Sequence, residues 1–271
     1  MKILPNNIRL LFLLFLIGIG AISCSEDMEE VNDDVQVTFT ATLQDDLLTR
    51  AFGDGLKVNT LIIGIFNGNM EEIDRWEFPI TTTSLNVQMG LAREQTYNFV
   101  FWAYSSECEV YDLTNLTAIK MKNDIANTTF AQMENSDAFF TTVDNFKVTT
   151  STAEDVELTR PLAQINVGTS GKAAKTSFTV KNTADIFYPF MKTVSGDVDF
   201  TWTFEETTDE TFSVDGTPYT YLSMGYIFAP IGETMKKPCE LILTNTNEKT
   251  NFPTVDTHAN HRSNIVGSFT E

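Results

Sequence analysis

Short segments in which apolar and polar residues alternate recur along most of this 271-residue chain. Successive side chains of a β-strand point to opposite faces of its sheet, so a period of two predicts a half-buried strand. The clearest case runs from residue 35 to residue 43, where glutamine and threonine separate the apolar residues. Its apolar face consists of Val35, Val37, Phe39, Ala41 and Leu43. This pattern restricts the chain to folds built from β-sheets.

The later candidate strands are short, rich in threonine, valine and aromatic residues, and bounded by turn residues. They read "NTLIIGIFNGN", "QTYNFVFWAYS", "FKVTT", "PLAQINVGT", "TSFTVKN", "VDFTWTF", "YLSMGYIFAP" and "CELILTN". The first of these is apolar almost throughout, which predicts a strand buried on both faces. A more polar stretch over residues 115–140 predicts a loop with one helical turn. Strands this short and regularly spaced predict an all-β sandwich.

We expect two tandem sandwich domains, over residues 35–157 and 158–271. A chain of this length can form one or two domains, each with its own core. The acidic segment "STAEDVE" lies between the two sets of strand patterns. Pro161 follows it, and proline has no backbone N–H for a central strand position. The boundary is therefore predicted at Glu157.

The first residues of the chain have the pattern of a secretory signal. Lys2 and Arg9 precede an apolar run from Leu10 to Ile22, and small residues precede Cys24. The apolar run of thirteen residues is too short to span a bilayer as a permanent helix. We therefore expect residues 1–23 to be cleaved off and residues 24–34 to form an acidic linker.

The sequence "AISC" before the linker resembles the lipobox of bacterial lipoproteins, in which the cysteine becomes the lipidated first residue of the mature chain. Acyl chains on Cys24 would partition into a bilayer with about 0.8 kcal/mol per buried CH₂ group. The alternative is an ordinary secreted protein with an incidental cysteine. The acidic run "SEDMEE" resembles an export signal of surface lipoproteins and is equally consistent with a solvated linker.

The composition and motifs exclude several classes of function. A net charge of −19 argues against nucleic acid as a partner, because phosphate binding requires lysine and arginine. The sequence has no glycine-rich phosphate loop and no nucleophile elbow. The acidic pairs Asp45-Asp46 and Glu205-Glu206 would point to opposite faces of a strand, so they cannot form a catalytic dyad. We predict that the protein is not an enzyme and has no cofactor.

Two pairs of metal-binding or redox residues remain. His258 and His261 lie near Asp256, but no helix or further ligand cluster gives this spacing a meaning, which favours a polar loop without a metal. Cys108 and Cys239 are far apart in the sequence, and sequence distance does not show whether they come within disulfide range. The sequence therefore does not decide whether Cys108 and Cys239 form a disulfide, and it favours two free, partly buried thiols.

Arg50 is the one basic residue between Ser25 and Leu56, a segment with nine acidic residues. It follows the first strand pattern and precedes a turn-like segment, Gly53-Asp54-Gly55. A trypsin-like pocket needs a cation, so Arg50 is the sole candidate for such cleavage in this segment. The alternative is an ion pair with Asp45, Asp46 or Asp54, which at an exposed position contributes only about 0–1 kcal/mol.

Four features together resemble one known family. They are the lipobox, the strand ending in "TRAFGDG", the central "LTRPLAQINV" and the terminal "HRSNIVG". Over most of the mature sequence the chain resembles the fimbrillins, the lipoprotein-derived pilins of Gram-negative oral and gut anaerobes. The resemblance implies transthyretin-like β-sandwich domains and an arginine-specific protease that cuts between Arg50 and Ala51. The cut would release the lipidated segment together with the first strand.

The resemblance also implies a function. Losing the strand of Val35, Val37, Phe39, Ala41 and Leu43 would bare a groove that accepts a strand from another chain. The expected protein is a structural or adhesive subunit of fimbriae on the outer membrane. Its partners would be other subunits, membrane lipid through Cys24, and host protein or glycan. Shaft subunits of the family continue past the "NIVG" motif into a donor strand. We expect either a truncated sequence at Glu271 or a terminal or tip subunit.

The alternative function is a surface lipoprotein that binds glycans and does not polymerise. Trp76, Trp102 and Trp202 are the candidate stacking platforms for sugars. Tryptophans in alternating strands are more often core residues than stacking platforms.

Overall fold

A computed structural model describes residues 34–44 and 54–270. Within these ranges the chain forms twenty strands and one short helix. In chain order they are β1 (Asp34–Leu43), β2 (Thr60–Phe66), β3 (Glu72–Pro79), β4 (Ser84–Ala92), β5 (Thr96–Tyr104), β6 (Tyr111–Asp112), β7 (Ile119–Met121), β8 (Asp124–Thr128), α1 (Phe130–Glu134), β9 (Ala138–Lys147), β10 (Thr152–Leu158), β11 (Leu162–Thr169), β12 (Thr176–Thr183), β13 (Ile186–Tyr188), β14 (Thr193–Ser195), β15 (Val198–Phe204), β16 (Thr211–Val214), β17 (Thr217–Phe228), β18 (Thr234–Leu243), β19 (Glu248–His258) and β20 (Arg262–Gly267). The predicted all-β fold is confirmed.

Seven of the strands up to β10 form a sandwich of two sheets. One sheet has the order β10-β1-β4 and the other the order β3-β2-β5-β9. Their facing side chains make a common core, with Phe39 from β1, Met89 from β4, Ile63 from β2 and Phe101 from β5. β2 pairs with β3 on one side and β5 on the other, and every residue of β2 is buried. The predicted burial of this strand on both faces is confirmed.

The second half of the chain repeats this strand pairing. β11, the first strand after β10, lies between β20, to which it is parallel, and β17, to which it is antiparallel. β1 has the same two kinds of neighbour in β10 and β4. The antiparallel order β15-β12-β18-β19 likewise matches β3-β2-β5-β9. The repeat begins at Leu162, directly after Pro161, and the two-domain division at Glu157 stays a prediction.

The two halves share a second apolar core. The outer face of the β2 and β5 sheet contributes Trp102, and Phe140 of β9 lies beside it in the same cluster. The second half contributes Phe187, whose ring centroid is 4.6 Å from that of Phe140, and Phe228. Two pairings also cross between the halves, β7 with β13 and β8 with β15. Residues Asp34–Glu271 form one compact unit.

Two regions differ from the sequence expectation. The segment "STAEDVE", at the predicted domain boundary, largely belongs to β10, which pairs with β1. The stretch over residues 115–140 contains the predicted helical turn as α1, and also the short strands β7 and β8. The helix begins at a capping box, in which the Thr129 hydroxyl accepts from the Gln132 N–H and the Gln132 side chain accepts from the Thr129 N–H.

Candidate functional site: the groove filled by β1

β1 lies at the centre of its sheet, hydrogen-bonded along both edges. On one side it is parallel to β10, in a register that runs from Val37 opposite Thr152 to Leu43 opposite Leu158. On the other side it is antiparallel to β4, from Asp34 opposite Ala92 onwards. Taking β1 away would therefore leave two strands with unpaired backbone donors and acceptors facing each other across a gap one strand wide.

The apolar face of β1 fills that gap. The predicted alternation is confirmed, because Val35, Val37, Phe39 and Ala41 are buried and Leu43 is half-buried. The Phe39 ring is fully buried, with its centroid 5.0 Å from that of Phe99, 5.3 Å from that of Phe101 and 5.6 Å from that of Phe146. Burying the valines and the phenylalanine contributes roughly 5–9 kcal/mol before ordering costs are subtracted.

The last residues of the strand are also held. The Leu43 N–H donates to the Thr83 carbonyl at 3.0 Å, and the Gln44 N–H donates to the Leu158 carbonyl at 3.2 Å. The Asn260 side-chain amide donates to the Gln44 side chain at 2.8 Å. The next described residue after Gln44 is Asp54. The predicted cleavage residues Arg50 and Ala51 therefore lie outside the described residues, as does Cys24.

The arginine of the "LTRPLAQINV" segment has a structural role at the junction of the two halves. Arg160 donates from Nε to one oxygen of the Asp137 carboxylate at 2.5 Å and from Nη2 to the other at 2.6 Å. Its guanidinium also lies 4.8 Å from the centroid of the Phe139 ring. Burial alone would lower the pKa of Arg160, but the charge and hydrogen bonds of Asp137 raise it overall. Arg160 thus stays charged inside the protein.

Other residues of this central motif meet residues of the terminal "HRSNIVG" motif across the parallel pair β11 and β20. Arg262 lies opposite Gln164, and its Nε donates to the Gln164 oxygen at 2.8 Å. The Gln164 amide donates to Asn166 at 3.0 Å, and the Asn166 amide donates to Asn264 at 3.0 Å. Gln164 and Asn166 are buried, so their side chains cannot bond to water. These hydrogen bonds therefore supply partners for polar groups that would otherwise be unsatisfied. The motifs therefore encode a polar ladder that fastens β20 to β11.

The tryptophans differ in their burial. Trp102 and Trp202 are each 0% exposed and belong to the core. Trp76 on the edge strand β3 is half-buried, and its indole N–H donates to Asp74 at 2.7 Å. A stacking platform must present a ring face to solvent, so of the three only Trp76 is placed to contact a sugar.

Cys108 and Cys239 are both free thiols, which answers the question that the sequence left open. Burial raises the pKa of Cys239 to about 12 and also raises the pKa of Cys108. A thiol with a raised pKa is a poor nucleophile. Within the described ranges, no three or more histidine, cysteine, aspartate or glutamate side chains cluster closely enough to hold a metal ion. No helix in those ranges has the length and apolarity needed to cross a membrane.

The fold and the groove define a β-sandwich protein in which β1, the first strand of the described residues, occupies the centre of a sheet. The chain belongs to a family of unknown function, DUF6562, which matches residues 28–270. No curated protein sequence matches the chain.

Solved structures of other proteins are similar to this one. A candidate adhesin from Bacteroides ovatus matches with a TM-score of 0.51 at 11% identity, over 81% of this chain and 76% of that one. A candidate adhesin from Bacteroides ovatus ATCC 8483 matches with a TM-score of 0.48 at 10% identity, over 95% and 99% of the two chains. The fimbrial anchor protein Mfa2 from Porphyromonas gingivalis matches with a TM-score of 0.48 at 9% identity, over 80% and 82%. The first likeness is consistent with the predicted all-β sandwich fold.

Proposed function

We propose that the protein is a non-enzymatic subunit of a fimbrial or adhesive assembly on the cell surface, and that it assembles by strand exchange. One observation carries this proposal: β1 occupies the centre of a sheet, between β10 and β4, with its apolar face in the core. Strand exchange requires a segment that completes the fold and that can be replaced by an equivalent segment of another chain.

In the proposed mechanism β1 fills its own groove until an arginine-specific protease cuts between Arg50 and Ala51. Before the cut, β1 is covalently joined to its groove and therefore present at a high effective concentration. After the cut that advantage is lost, and a strand from a neighbouring subunit competes for the edges of β4 and β10. The phenylalanine cluster around Phe39 provides the apolar contacts that an incoming strand would recover.

The fold also supports the proposed role at the cell surface. The candidate adhesin of Bacteroides ovatus has the same fold at 11% identity, and adhesion is a function for which a strand-exchanging surface subunit is suited. We propose that the mature chain is an outer-membrane lipoprotein anchored through Cys24 until cleavage. Its partners would be other fimbrial subunits and a host protein or glycan.

The burial of the tryptophans bears on the glycan-binding alternative. Trp102 and Trp202 belong to the core, so neither can stack on a sugar. The alternative then depends on Trp76 alone, beside Asp74 on an edge strand.

The mature N-terminus of the protein taken from intact cells tests the proposal directly. Mass spectrometry should find lipidated Cys24 in precursors and Ala51 in assembled protein, because cleavage after Arg50 is the step that frees β1. If all surface protein begins at Cys24, cleavage after Arg50 does not occur. The protein would then be a subunit that keeps its first segment and its lipid anchor.

Cys24→Ser should leave the precursor unlipidated, since serine has no thiol for acyl attachment, and the protein should be lost from the outer-membrane fraction. Cell fractionation followed by immunoblotting measures this. Cys108→Ser, a change at a half-buried thiol within the sandwich, is the matched control and should fractionate as the wild type does. Continued outer-membrane fractionation of Cys24→Ser would argue against the lipobox.

A further inference from the structure

The turn between β19 and β20 brings two histidines together. The rings of His258 and His261 have centroids 4.2 Å apart, and their Nδ1 atoms are 2.7 Å apart. Both Nδ1 atoms also face the Ala259 carbonyl oxygen, at 2.7 Å from His258 and 2.9 Å from His261. The two ring nitrogens and the carbonyl oxygen thus lie within hydrogen-bond distance of one another.

Protons alone cannot satisfy all three contacts. The carbonyl oxygen only accepts, so each Nδ1 must carry a proton to bond with it. If both do, the two N–H groups oppose each other across 2.7 Å. If only one does, the other nitrogen presents a lone pair to the oxygen lone pairs. Every tautomer therefore leaves at least one of the three contacts unfavourable, whereas a metal cation would attract all three atoms at once.

We propose that His258, His261 and the Ala259 carbonyl form a binding site for a divalent transition-metal ion. Imidazole nitrogen is a good ligand for zinc, copper and nickel, whereas calcium and magnesium prefer oxygen-only sites. Ligands about 2.0–2.2 Å from zinc lie about 3.0–3.5 Å from one another, so the three atoms need to move apart by less than about 1 Å. His261 is exposed and His258 half-buried, which leaves water access to the remaining coordination positions.

The backbone of the turn holds the two rings in place. Asn260 has a φ of 60°, a left-handed conformation that asparagine tolerates better than most residues. The Asn260 N–H donates to the Leu162 carbonyl at 2.9 Å, the His261 N–H donates to the His258 carbonyl at 3.2 Å, and the His261 carbonyl accepts from the Gln164 N–H at 3.0 Å. These bonds place the turn against β11 before any metal binds, which lowers the ordering cost of binding.

The turn also reaches the end of β1, because the Asn260 side chain donates to Gln44. A metal that stiffens the turn should therefore slow the opening of β1 at Gln44. This link matters for assembly only if the proposed strand exchange takes place. The metal site itself does not depend on that proposal.

Isothermal titration of Zn²⁺ into the untagged full-length chain carrying Cys24→Ser tests the site. We expect one ion per chain. His258→Ala and His261→Ala should each weaken binding by at least about tenfold, since each removes a direct ligand. Ser263→Ala, whose side chain bonds to the Asp256 carbonyl nearby, should bind as the parent does. Circular dichroism checks that each variant is folded. Absent binding, or equal affinity in both histidine variants and the parent, would overturn the site.

Hydrogen exchange separates the site from its link to β1. In the parent, the Leu43 and Gln44 amides should exchange more slowly with Zn²⁺ than without it. In His261→Ala, Zn²⁺ should leave their exchange rates unchanged. Slowing in both proteins would overturn the link. Neither experiment involves cleavage at Arg50, so failure of this inference and failure of the proposed function are told apart.

Discussion

Arg50→Ala is expected to abolish assembly while leaving the fold intact. Without the arginine the protease has no cation to recognise between Ser25 and Leu56, so β1 stays covalently joined to its groove and excludes a neighbour's strand. To measure the effect, protease-treated wild type or variant is mixed with donor-competent subunits. SDS gel electrophoresis then shows whether a ladder of SDS-resistant oligomers forms. The wild type should form ladders and the variant none. The substitution removes none of the described contacts of β1 with β4 and β10, so the melting temperature should hardly change.

Arg50→Lys is the matched control for charge. Lysine keeps any ion pair with nearby acids but is not a substrate for an arginine-specific protease, so the ladder should again be absent. The chain also contains an internal control, since the tripeptide Leu-Thr-Arg occurs twice. Arg160 ends the second copy but is 1% exposed and is followed by Pro161, so it should resist cleavage. Normal assembly of Arg50→Lys would contradict the proposed processing.

Asp137→Ala should destabilise the protein by about 3–5 kcal/mol, because it removes the carboxylate that neutralises a buried guanidinium. The side chains of Arg160 and Asp137 are 2% and 1% exposed, so water cannot replace the lost carboxylate without disrupting the core. Chemical denaturation followed by tryptophan fluorescence measures the free energy of unfolding.

Lys147→Ala provides the comparison for that experiment. Lys147 and Glu94 form an ion pair of 2.8 Å with side chains 57% and 62% exposed, and such exposed pairs contribute about 0–1 kcal/mol. The two variants should therefore differ several-fold in their effect on unfolding. An Asp137→Ala protein as stable as Lys147→Ala would show that the buried pair is not important for stability.

The sequence was sufficient to predict β1 but not β4 and β10, the strands on either side of its groove. β1 buries one face and exposes the other, so its apolar residues alternate and the strand is visible in the sequence. β10 is an edge strand in which only Val156 and Leu158 are buried, and its acidic residues indicated a domain boundary instead of a strand. An edge strand with few buried side chains has little apolar periodicity to detect.

Contacts between distant residues could not be predicted from local patterns. Arg160 and Asp137 are 23 residues apart, and Gln44 and Asn260 are 216 residues apart. The motif that contains Arg160 was visible, but its role depends on a partner that only the fold brings near. The histidine turn is predicted from the sequence to be a polar loop, because no helix and no further ligand cluster accompany His258 and His261. The tryptophans were equally ambiguous, since burial depends on which sheet face the fold covers.

The double pairing of β1 has a mechanical consequence. Hydrogen bonds in a sheet run roughly perpendicular to the strands, so tension along a strand loads them in shear. A strand bonded on one edge can be peeled away one bond at a time if it is pulled sideways. β1 is bonded on both edges, to β10 and β4, so tension along its axis is shared by two ladders that must fail together. A neighbour's strand in the same position would transmit a pull along a fibre through that geometry.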